Sequence, residues 1–192
     1  LELSRNNKEF KLIGSSYTTD SFLKFPGFPH AFENLSADVL FNQNKVLINS
    51  ISGELAGGRV LGNGEVRFVE AKTFDLFITT SMENVNIKFP EGFRTSGSGN
   101  ISLSGSQPPF LLAGQYNVFE GLIDSNFDGG SNSDSSNLLE ELLKKEIKSP
   151  LLLNLDIDTK NPVEVRNSLV EGYILGKIKV FDKIDSPRIR GE

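Results

Sequence analysis

Alternation of apolar and polar residues with a period of two is the feature that most constrains this chain. From residue 35 onward short alternating runs follow one another, and the first places Leu35, Ala37, Val39 and Phe41 on one side. Glycine, asparagine and serine separate the runs at intervals of about 8–12 residues, the spacing of an antiparallel meander. Successive side chains of a strand point to opposite faces of its sheet. The sequence therefore predicts an all-β fold with one apolar and one polar face.

The apolar members of these runs form one set, which we call the apolar stripe. A closed sandwich would bury the stripe against a second sheet, whereas an open sheet would leave it free for apolar cargo. Both arrangements use the same alternation, so the pattern leaves both open. The stripe consists of Val39, Phe41, Val46, Ile48, Val66, Phe68, Phe74, Leu76, Ile78, Val85, Ile87, Ile101, Leu103, Leu153, Leu155 and Ile157.

Three parts of the chain depart from the alternation. In residues 1–34, Pro26 and Pro29 predict an irregular or edge segment, because proline cannot donate to a strand ladder. Residues 128–137 are glycine, serine, asparagine and aspartate, and they predict a flexible loop. Residues 138–147 predict a short amphipathic helix, with acids in its first turn and lysines near its end. That helix would lie across an open end of the sheet or cap a filled core.

The composition excludes several classes of function. A formal net charge of −5 argues against nucleic-acid partners and against attraction to anionic lipid headgroups, which both require a basic surface. The chain contains no cysteine, which excludes disulfides and thiol nucleophiles. No run approaches the roughly 18 apolar residues of a membrane-spanning helix. Any membrane anchor is therefore expected outside the given sequence.

No group of residues in the sequence suggests catalysis. His30 is the only histidine, and neither a Ser-His-Asp triad nor a zinc site can be built from it alone. A structural or exposed role is expected for it. Asp156 and Asp158 alternate with apolar residues of the stripe, which predicts that both carboxylates face water. We therefore predict that the chain is not an enzyme and uses no metal or cofactor.

The glycine-rich segment 57–64 invites comparison with a phosphate-binding loop. Such a loop leads from a strand into the N-terminus of a helix. Here strand-like runs lie on both sides of the glycines and no helical pattern follows. The sequence instead predicts turns at Gly57-Gly58 and at Gly62-Asn63-Gly64.

Two stretches carry a resemblance to a known family. In the first, from Phe32 to Phe68, short strands are punctuated by turns such as Ser52-Gly53-Glu54-Leu55-Ala56-Gly57. The second contains Asn161-Pro162-Val163-Glu164-Val165-Arg166-Asn167 before a strand and ends in Ser186-Pro187-Arg188-Ile189-Arg190-Gly191. Together they cover about residues 35–192. They resemble the C-terminal region of TamB, which belongs to the AsmA-like family.

The resemblance implies an elongated, curved antiparallel sheet folded like a taco shell, in which the apolar stripe lines a lipid-binding groove. It implies a place in the periplasm, with a tether to the inner membrane through a segment not present here. It also implies phospholipid or other acyl-chain cargo carried between the two membranes. The implied partner is an outer-membrane assembly barrel resembling TamA, and the implied second role is support of outer-membrane protein assembly.

Other functions fit the same residues. A structural or adhesive extracellular β-sandwich or β-solenoid would fill its interior with the stripe and act through loops such as 128–137. A scaffold for outer-membrane strands would use the same apolar face and the free sheet edges. On the leading interpretation residues 35–192 form one β domain, interrupted by the loop at 128–137 and the helix at 138–147, and residues 1–34 precede it.

Overall fold

The computed structural model describes residues 2–6, 9–25, 28–70, 73–89, 92–124, 149–168, 170–184 and 186–191. The predicted loop at 128–137 and the predicted helix at 138–147 lie outside these residues, so both stay predictions.

The described residues form thirteen strands and no helix, and the all-β prediction is confirmed. Every strand belongs to one sheet. The strands are β1 (Glu2–Asn6), β2 (Glu9–Lys24), β3 (Ala31–Gln43), β4 (Lys45–Leu55), β5 (Gly58–Glu70), β6 (Thr73–Ile87), β7 (Phe93–Gly105), β8 (Phe110–Ile123), β9 (Leu151–Thr159), β10 (Val163–Arg166), β11 (Glu171–Ile174), β12 (Lys177–Lys183) and β13 (Arg188–Gly191). Residue 34, the predicted end of the N-terminal segment, lies within β3, and the sheet continues across it.

The sheet is an antiparallel meander with one parallel step. From β1 to β8 each strand pairs antiparallel with the next. Strand β9 then lies parallel to β8, and β12 and β13 follow it antiparallel. Parallel neighbours need a connection of a dozen or more residues, and the chain between β8 and β9 has that length. Beyond the end of β9, strand β10 also pairs parallel with β8, and β11 pairs with β10.

Irregularities of register bend the long strands. The pairing of β6 with β7 shifts between Met82 and Val85. The pairing of β8 with β7 shifts at Phe119, between Val118 and Glu120. Similar shifts occur along β2, β3 and β4. Each extra residue bends its strand and increases the local twist. The result is the open, curved sheet that the resemblance implied.

Two buried clusters lie on the same face of this sheet. The first is Leu55, Val60, Met82 and Val85, and the second is Val118, Ile123, Val163 and Val165. The ring of Tyr116 packs against both clusters and so joins them. Its hydroxyl donates a hydrogen bond to the carbonyl oxygen of Val85 (3.3 Å), and burial raises the pKa of this phenol above its ordinary value. The packed part of the molecule therefore lies where β4 to β8 meet β10.

Of the two turns predicted in the segment 57–64, the structure contains the first and not the second. The turn between β4 and β5 is present, with positive φ at Ala56 (51°) and Gly57 (79°). The turn predicted at 62–64 is wrong, because these residues lie inside β5. A Cβ at Gly64 would stand 2.5 Å from the carbonyl oxygen of Phe77 and 2.8 Å from Cγ1 of Ile78. Close approach of the neighbouring strand, and not a reversal of the chain, explains this glycine.

Some glycines stabilise the fold because they let a neighbouring strand approach closely, and this effect on stability can be tested. A Cβ at Gly97 would lie 2.3 Å from the carbonyl oxygen of Asn117 and 2.8 Å from Cζ of Tyr116. We therefore expect Gly97→Ala to lower the free energy of unfolding by about 1–3 kcal/mol, measured by urea titration. The matched control is Gly172→Ala in β11, where a Cβ would meet no atom within 4 Å. This control should keep the wild-type stability or raise it slightly, and equal losses in both variants would contradict the explanation.

Candidate functional site: the apolar face of the sheet

The strand registers place every residue of the apolar stripe on one face. Directly paired residues of neighbouring strands share a face, as do alternate residues of one strand. One row of paired residues shows this across β3 to β9. The row is Val39, Ile48, Gly64, Ile78, Leu103, Leu112 and Leu153. Parallel rows carry the other members of the stripe, which the sequence therefore grouped as the structure groups them.

The same face contains residues that the stripe omitted. Phe110, Leu112 and Tyr116 of β8 pair with members or neighbours of the stripe on β7 and β9. Their alternation is visible in the sequence, but Gly114 interrupts it, and a register shift reverses it before Ile123. Val163 and Val165 were also omitted, because two apolar positions in so short a strand make a weak pattern. They belong to the second buried cluster.

Exposure divides the apolar face into two zones. Within the stripe only Val85 is buried, and it belongs to the first buried cluster. Most other members are partly exposed, and Phe68 is 46% exposed. We call the partly exposed members that do not pack against either buried cluster the open zone. Its members are Val39, Phe41, Val46, Ile48, Val66, Phe68, Phe74, Leu76, Ile78, Leu103, Leu153 and Leu155.

The open zone is an apolar surface that the described residues leave partly uncovered. Soluble proteins rarely expose a continuous apolar patch of this kind without a binding role. Its aromatic side chains lie towards one end of the strands, where the rings of Phe74 and Phe110 approach to 6.0 Å between centroids. Phe68 pairs directly with Phe74 in the register of β5 and β6. The zone has the chemistry to bind flexible apolar groups without polar contacts specific to one site.

The opposite face is mainly polar, although Leu40 (38%), Phe77 (52%) and Leu111 (39%) are exposed on it. The hydroxyl of Thr79 donates to Oδ1 of Asn63 (3.1 Å), and Lys179 pairs with Asp156 (3.4 Å) across neighbouring strands. Lys160 donates to Asp158, and this hydrogen bond lowers the pKa of the Asp158 carboxyl. Both aspartates therefore lie on the polar face, as predicted. No group of three or more metal-ligating acids or histidines occurs among the residues that the structure describes.

His30 has a structural contact. Its Nε2 accepts a hydrogen bond from the backbone N–H of Lys88 (2.8 Å), which ties the connection between β2 and β3 to the end of β6. Its ring packs edge-on against Phe28, which in turn contacts Phe89. Burial and then the charge of Lys88 lower the pKa of His30 from its ordinary 6.5. The interaction needs the neutral ring, because only an unprotonated nitrogen accepts a hydrogen bond.

This contact predicts a pH dependence of stability. Because the pKa of His30 is lower in the folded chain, its contribution is fully present above pH 6.5 and is lost as the pH falls through the lowered pKa. We expect the melting temperature to fall between pH 7.5 and pH 5, and to fall less in His30→Gln, whose amide oxygen does not titrate in this range. Thermal melts followed by circular dichroism would measure both. Identical pH profiles for the two proteins would contradict a role for His30.

The segment from Asn161 to Asn167, which we call the asparagine-proline motif, is explained by the contacts that it makes. The side-chain amide of Asn161 donates to the carbonyl oxygen of Phe119 (2.9 Å), next to the irregularity of β8. Asn167 closes the turn between β10 and β11 by accepting a hydrogen bond from the N–H of Val170 (2.8 Å). Between these two contacts β10 pairs with β8 and buries Val163 and Val165. The motif thus fixes a second short strand beside β8 after β9 has ended.

Comparison with protein families agrees with this geometry. The family model of the TamB C-terminal domain matches residues 49–192, which is three quarters of the chain. The chain belongs to the TamB family. The match includes the strands that carry most of the open zone, both buried clusters and the asparagine-proline motif. The TamB family is part of the translocation and assembly module, a system of the bacterial envelope.

No curated protein and no solved structure matches the chain. Among the described residues, no helix is both long enough and apolar enough to cross a membrane.

Proposed function

We propose that this TamB domain is a non-catalytic segment of a periplasmic conduit that carries phospholipid between the inner and outer membranes. The open zone is the observation that carries the proposal. In one single sheet, partly exposed apolar side chains occupy the same rows from β3 to β9. A β-sandwich would cover these rows with a second sheet, and every described strand belongs to the first one. A conduit therefore accounts for the open zone better than an adhesive sandwich does.

The dimensions and energies of the open zone suit acyl chains. Neighbouring strands lie about 4.8 Å apart, so the rows from β3 to β9 extend about 29 Å across the sheet. The hydrocarbon core of a bilayer is about 30 Å thick, and one leaflet fills half of it, so the rows exceed the length of one acyl tail. Each buried CH₂ contributes about 0.8 kcal/mol. Because aliphatic and aromatic side chains provide this gain at most steps along the rows, a tail could move with little loss of binding energy.

The remaining parts of the proposal follow from membership of the family. We propose a tether to the inner membrane outside this sequence, and an outer-membrane assembly barrel of the TamA type as partner. In this arrangement the domain also supports outer-membrane protein assembly. The exposed sheet edges favour that second role, since an edge strand offers unpaired N–H and C=O groups to an incoming strand.

Lipid bound to the purified protein tests the proposal. The domain would be purified from bacterial cells without detergent, and native mass spectrometry and lipid extraction would be applied to the same sample. We expect co-purified phospholipid whose acyl chains, and not its headgroup, determine retention. Protein that is free of lipid, melts cooperatively and takes up no phospholipid from vesicles would exclude the conduit.

A further inference from the structure

The connection between β8 and β9 has to cross one face of the sheet. β8 ends at Ile123 and β9 begins at Leu151, and the two strands are parallel neighbours. A chain that joins parallel neighbours leaves one end of the sheet and returns to the other end, over one face or the opposite one. Residues 125–148 of this connection lie outside the described residues. The described strands on either side nevertheless define the face.

Hydrogen bonds show on which side of β8 its neighbour β9 lies. With the apolar face turned towards the viewer and β8 pointing upwards, the side chains of Phe110 and Val118 point at the viewer. For L-residues in this orientation the backbone N–H and C=O point to the right, because the Cα hydrogen occupies the left. The N–H of Phe110 donates to the carbonyl oxygen of Pro150 (2.9 Å), and Val118 O accepts from Lys160 N (2.8 Å). Strand β9 therefore lies to the right of β8.

The next strand gives the same result. Thr159 of β9 also faces the viewer, because it pairs with Val118. Its N–H donates to the carbonyl oxygen of Gly176 (3.0 Å), the residue before β12. By the same rule β12 lies to the right of β9. The strands β8, β9 and β12 then follow one another from left to right, in the order in which they pair.

The handedness of the crossover selects the face. Connections between parallel strands of one sheet are right-handed in about 98% of cases, because a right-twisted strand packs back onto the sheet only in that way. A right-handed crossover that rises along β8 and moves to the right passes in front of the sheet. The front in this view is the apolar face. A left-handed crossover would pass behind the sheet, across the opposite face.

We propose that the apolar face of β8 and β9 is the docking site for residues 138–147 of the same chain. These residues have the complementary chemistry, because the predicted helix places five aliphatic side chains on one side. The five are Leu138, Leu139, Leu142, Leu143 and Ile147. The rows that receive them carry Leu112, Leu153 and Leu155, all partly exposed among the described residues.

The opposite face of the same two strands is a poorer partner for this helix. There Gln115 pairs with Asp156, and Asn117 pairs with Asp158. An aliphatic helix side placed over these pairs would remove carboxylates and amides from water without offering them hydrogen bonds, which is unfavourable. The composition of the two faces and the handedness of the connection therefore favour the same location.

The size of the segment limits how much of the open zone it covers. A ten-residue helix is about 15 Å long and about 10 Å wide, and neighbouring strands lie about 4.8 Å apart. The helix therefore covers about two or three strands and leaves the rows on β3 to β6 uncovered. Docking of the segment does not depend on lipid transport. That acyl chains are restricted to β3 to β6 is a consequence that rests on the proposed function.

Cross-linking within the whole chain tests the location. The chain contains no cysteine, so introduced thiols are the only ones present. Leu142→Cys would be combined with Leu112→Cys on the apolar face or with Leu111→Cys, its neighbour on the opposite face, which is 39% exposed. A short bismaleimide would be added, and the linked peptides identified by mass spectrometry. We expect cross-linking within one molecule at least about tenfold faster for Leu112, because a short linker does not reach around a sheet.

The same comparison on β9 uses Leu153→Cys and Leu152→Cys, which also lie on opposite faces. It provides a second reading if a substitution in β8 disturbs folding, which circular dichroism would detect. A rate at Leu111 or Leu152 equal to or above that of its apolar neighbour would overturn the proposal. Cross-links formed only between molecules would overturn it as well, since they would assign the face to a second copy of the chain.

A charge on the segment itself tests the contact. In the chain that carries the cysteines at positions 142 and 112, Leu139→Lys should slow the cross-link at least about threefold, because an aliphatic contact is lost. The matched control is Glu141→Lys, which introduces the same side chain on the other side of the predicted helix. It should change the rate less than about twofold. Equal effects of the two substitutions would contradict docking through the aliphatic side.

Discussion

Leu103→Arg is expected to reduce co-purified phospholipid at least about tenfold while leaving the protein folded. Leu103 lies in the central row of the open zone, directly paired with Ile78 and Leu112. A guanidinium there would place a charge beside the acyl chains, and charges in apolar surroundings cost several kcal/mol. About 1.4 kcal/mol already corresponds to a tenfold loss of affinity. Because position 103 is only partly buried, the arginine side chain can turn its charged end towards water in the absence of lipid.

The neighbouring residue provides a matched control. Ser104 follows Leu103 in β7 and faces the opposite side of the sheet, where it pairs with Phe77. Ser104→Arg introduces the same charge one position away and should retain wild-type lipid. Ile78→Asp adds the opposite charge in the open zone, which separates loss of apolar contact from attraction of the lipid phosphate by arginine. Loss of lipid in Leu103→Arg and Ile78→Asp alone supports the conduit, whereas loss in Ser104→Arg as well would contradict it.

Val85→Asp is expected to abolish folding or to lower the free energy of unfolding by about 3–5 kcal/mol, the cost of a buried charge without a partner. Val85 is fully buried in the first cluster, which also contains Met82. The hydroxyl of Tyr116 donates a hydrogen bond to the backbone carbonyl oxygen of Val85. Total stabilities of domains are about 5–15 kcal/mol, so such a loss is a large fraction of the whole. Thermal and urea unfolding followed by circular dichroism would measure it.

The comparison with Ile78→Asp makes this second prediction informative. Both residues lie on the same face of β6, and both variants introduce the same carboxylate. Ile78 lies in the open zone, where we expect a loss of about 1 kcal/mol or less, close to that of a surface substitution. A third variant, Val69→Asp at a 60% exposed position, serves as the surface reference. If Ile78→Asp destabilises the protein as much as Val85→Asp does, the whole stripe is a packed core and the conduit is excluded.

The sequence was sufficient to group the residues of the apolar face. Alternation is a local property, because each residue of a strand turns the next side chain to the other face. The stripe from Val39 to Ile157 could therefore be written down without knowledge of strand pairing, and the register agrees with it row by row. The same local pattern determined that the fold is all-β and that Asp156 and Asp158 lie on the polar face.

Local patterns failed where glycine has two possible uses. The sequence predicted turns at both Gly57 and Gly64, since glycine favours turns in general. Only the first has a positive φ, and the second lies within β5 against the backbone of Phe77. A residue without a side chain is required in both places, for backbone conformation in one and for close approach of a neighbouring strand in the other. The sequence of the strand itself does not distinguish these causes.

The sequence by itself determined the all-β class, the two chemically different faces and the residues of the stripe. Only the tertiary structure decided that β9 lies parallel to β8, and that Val85 is buried while Leu103 is partly exposed. It alone also showed that β10 lies beside β8 and that β11 pairs with β10. The physical reason is the range of the interactions: the direction of a side chain follows from its own strand, whereas burial and pairing depend on strands distant along the chain.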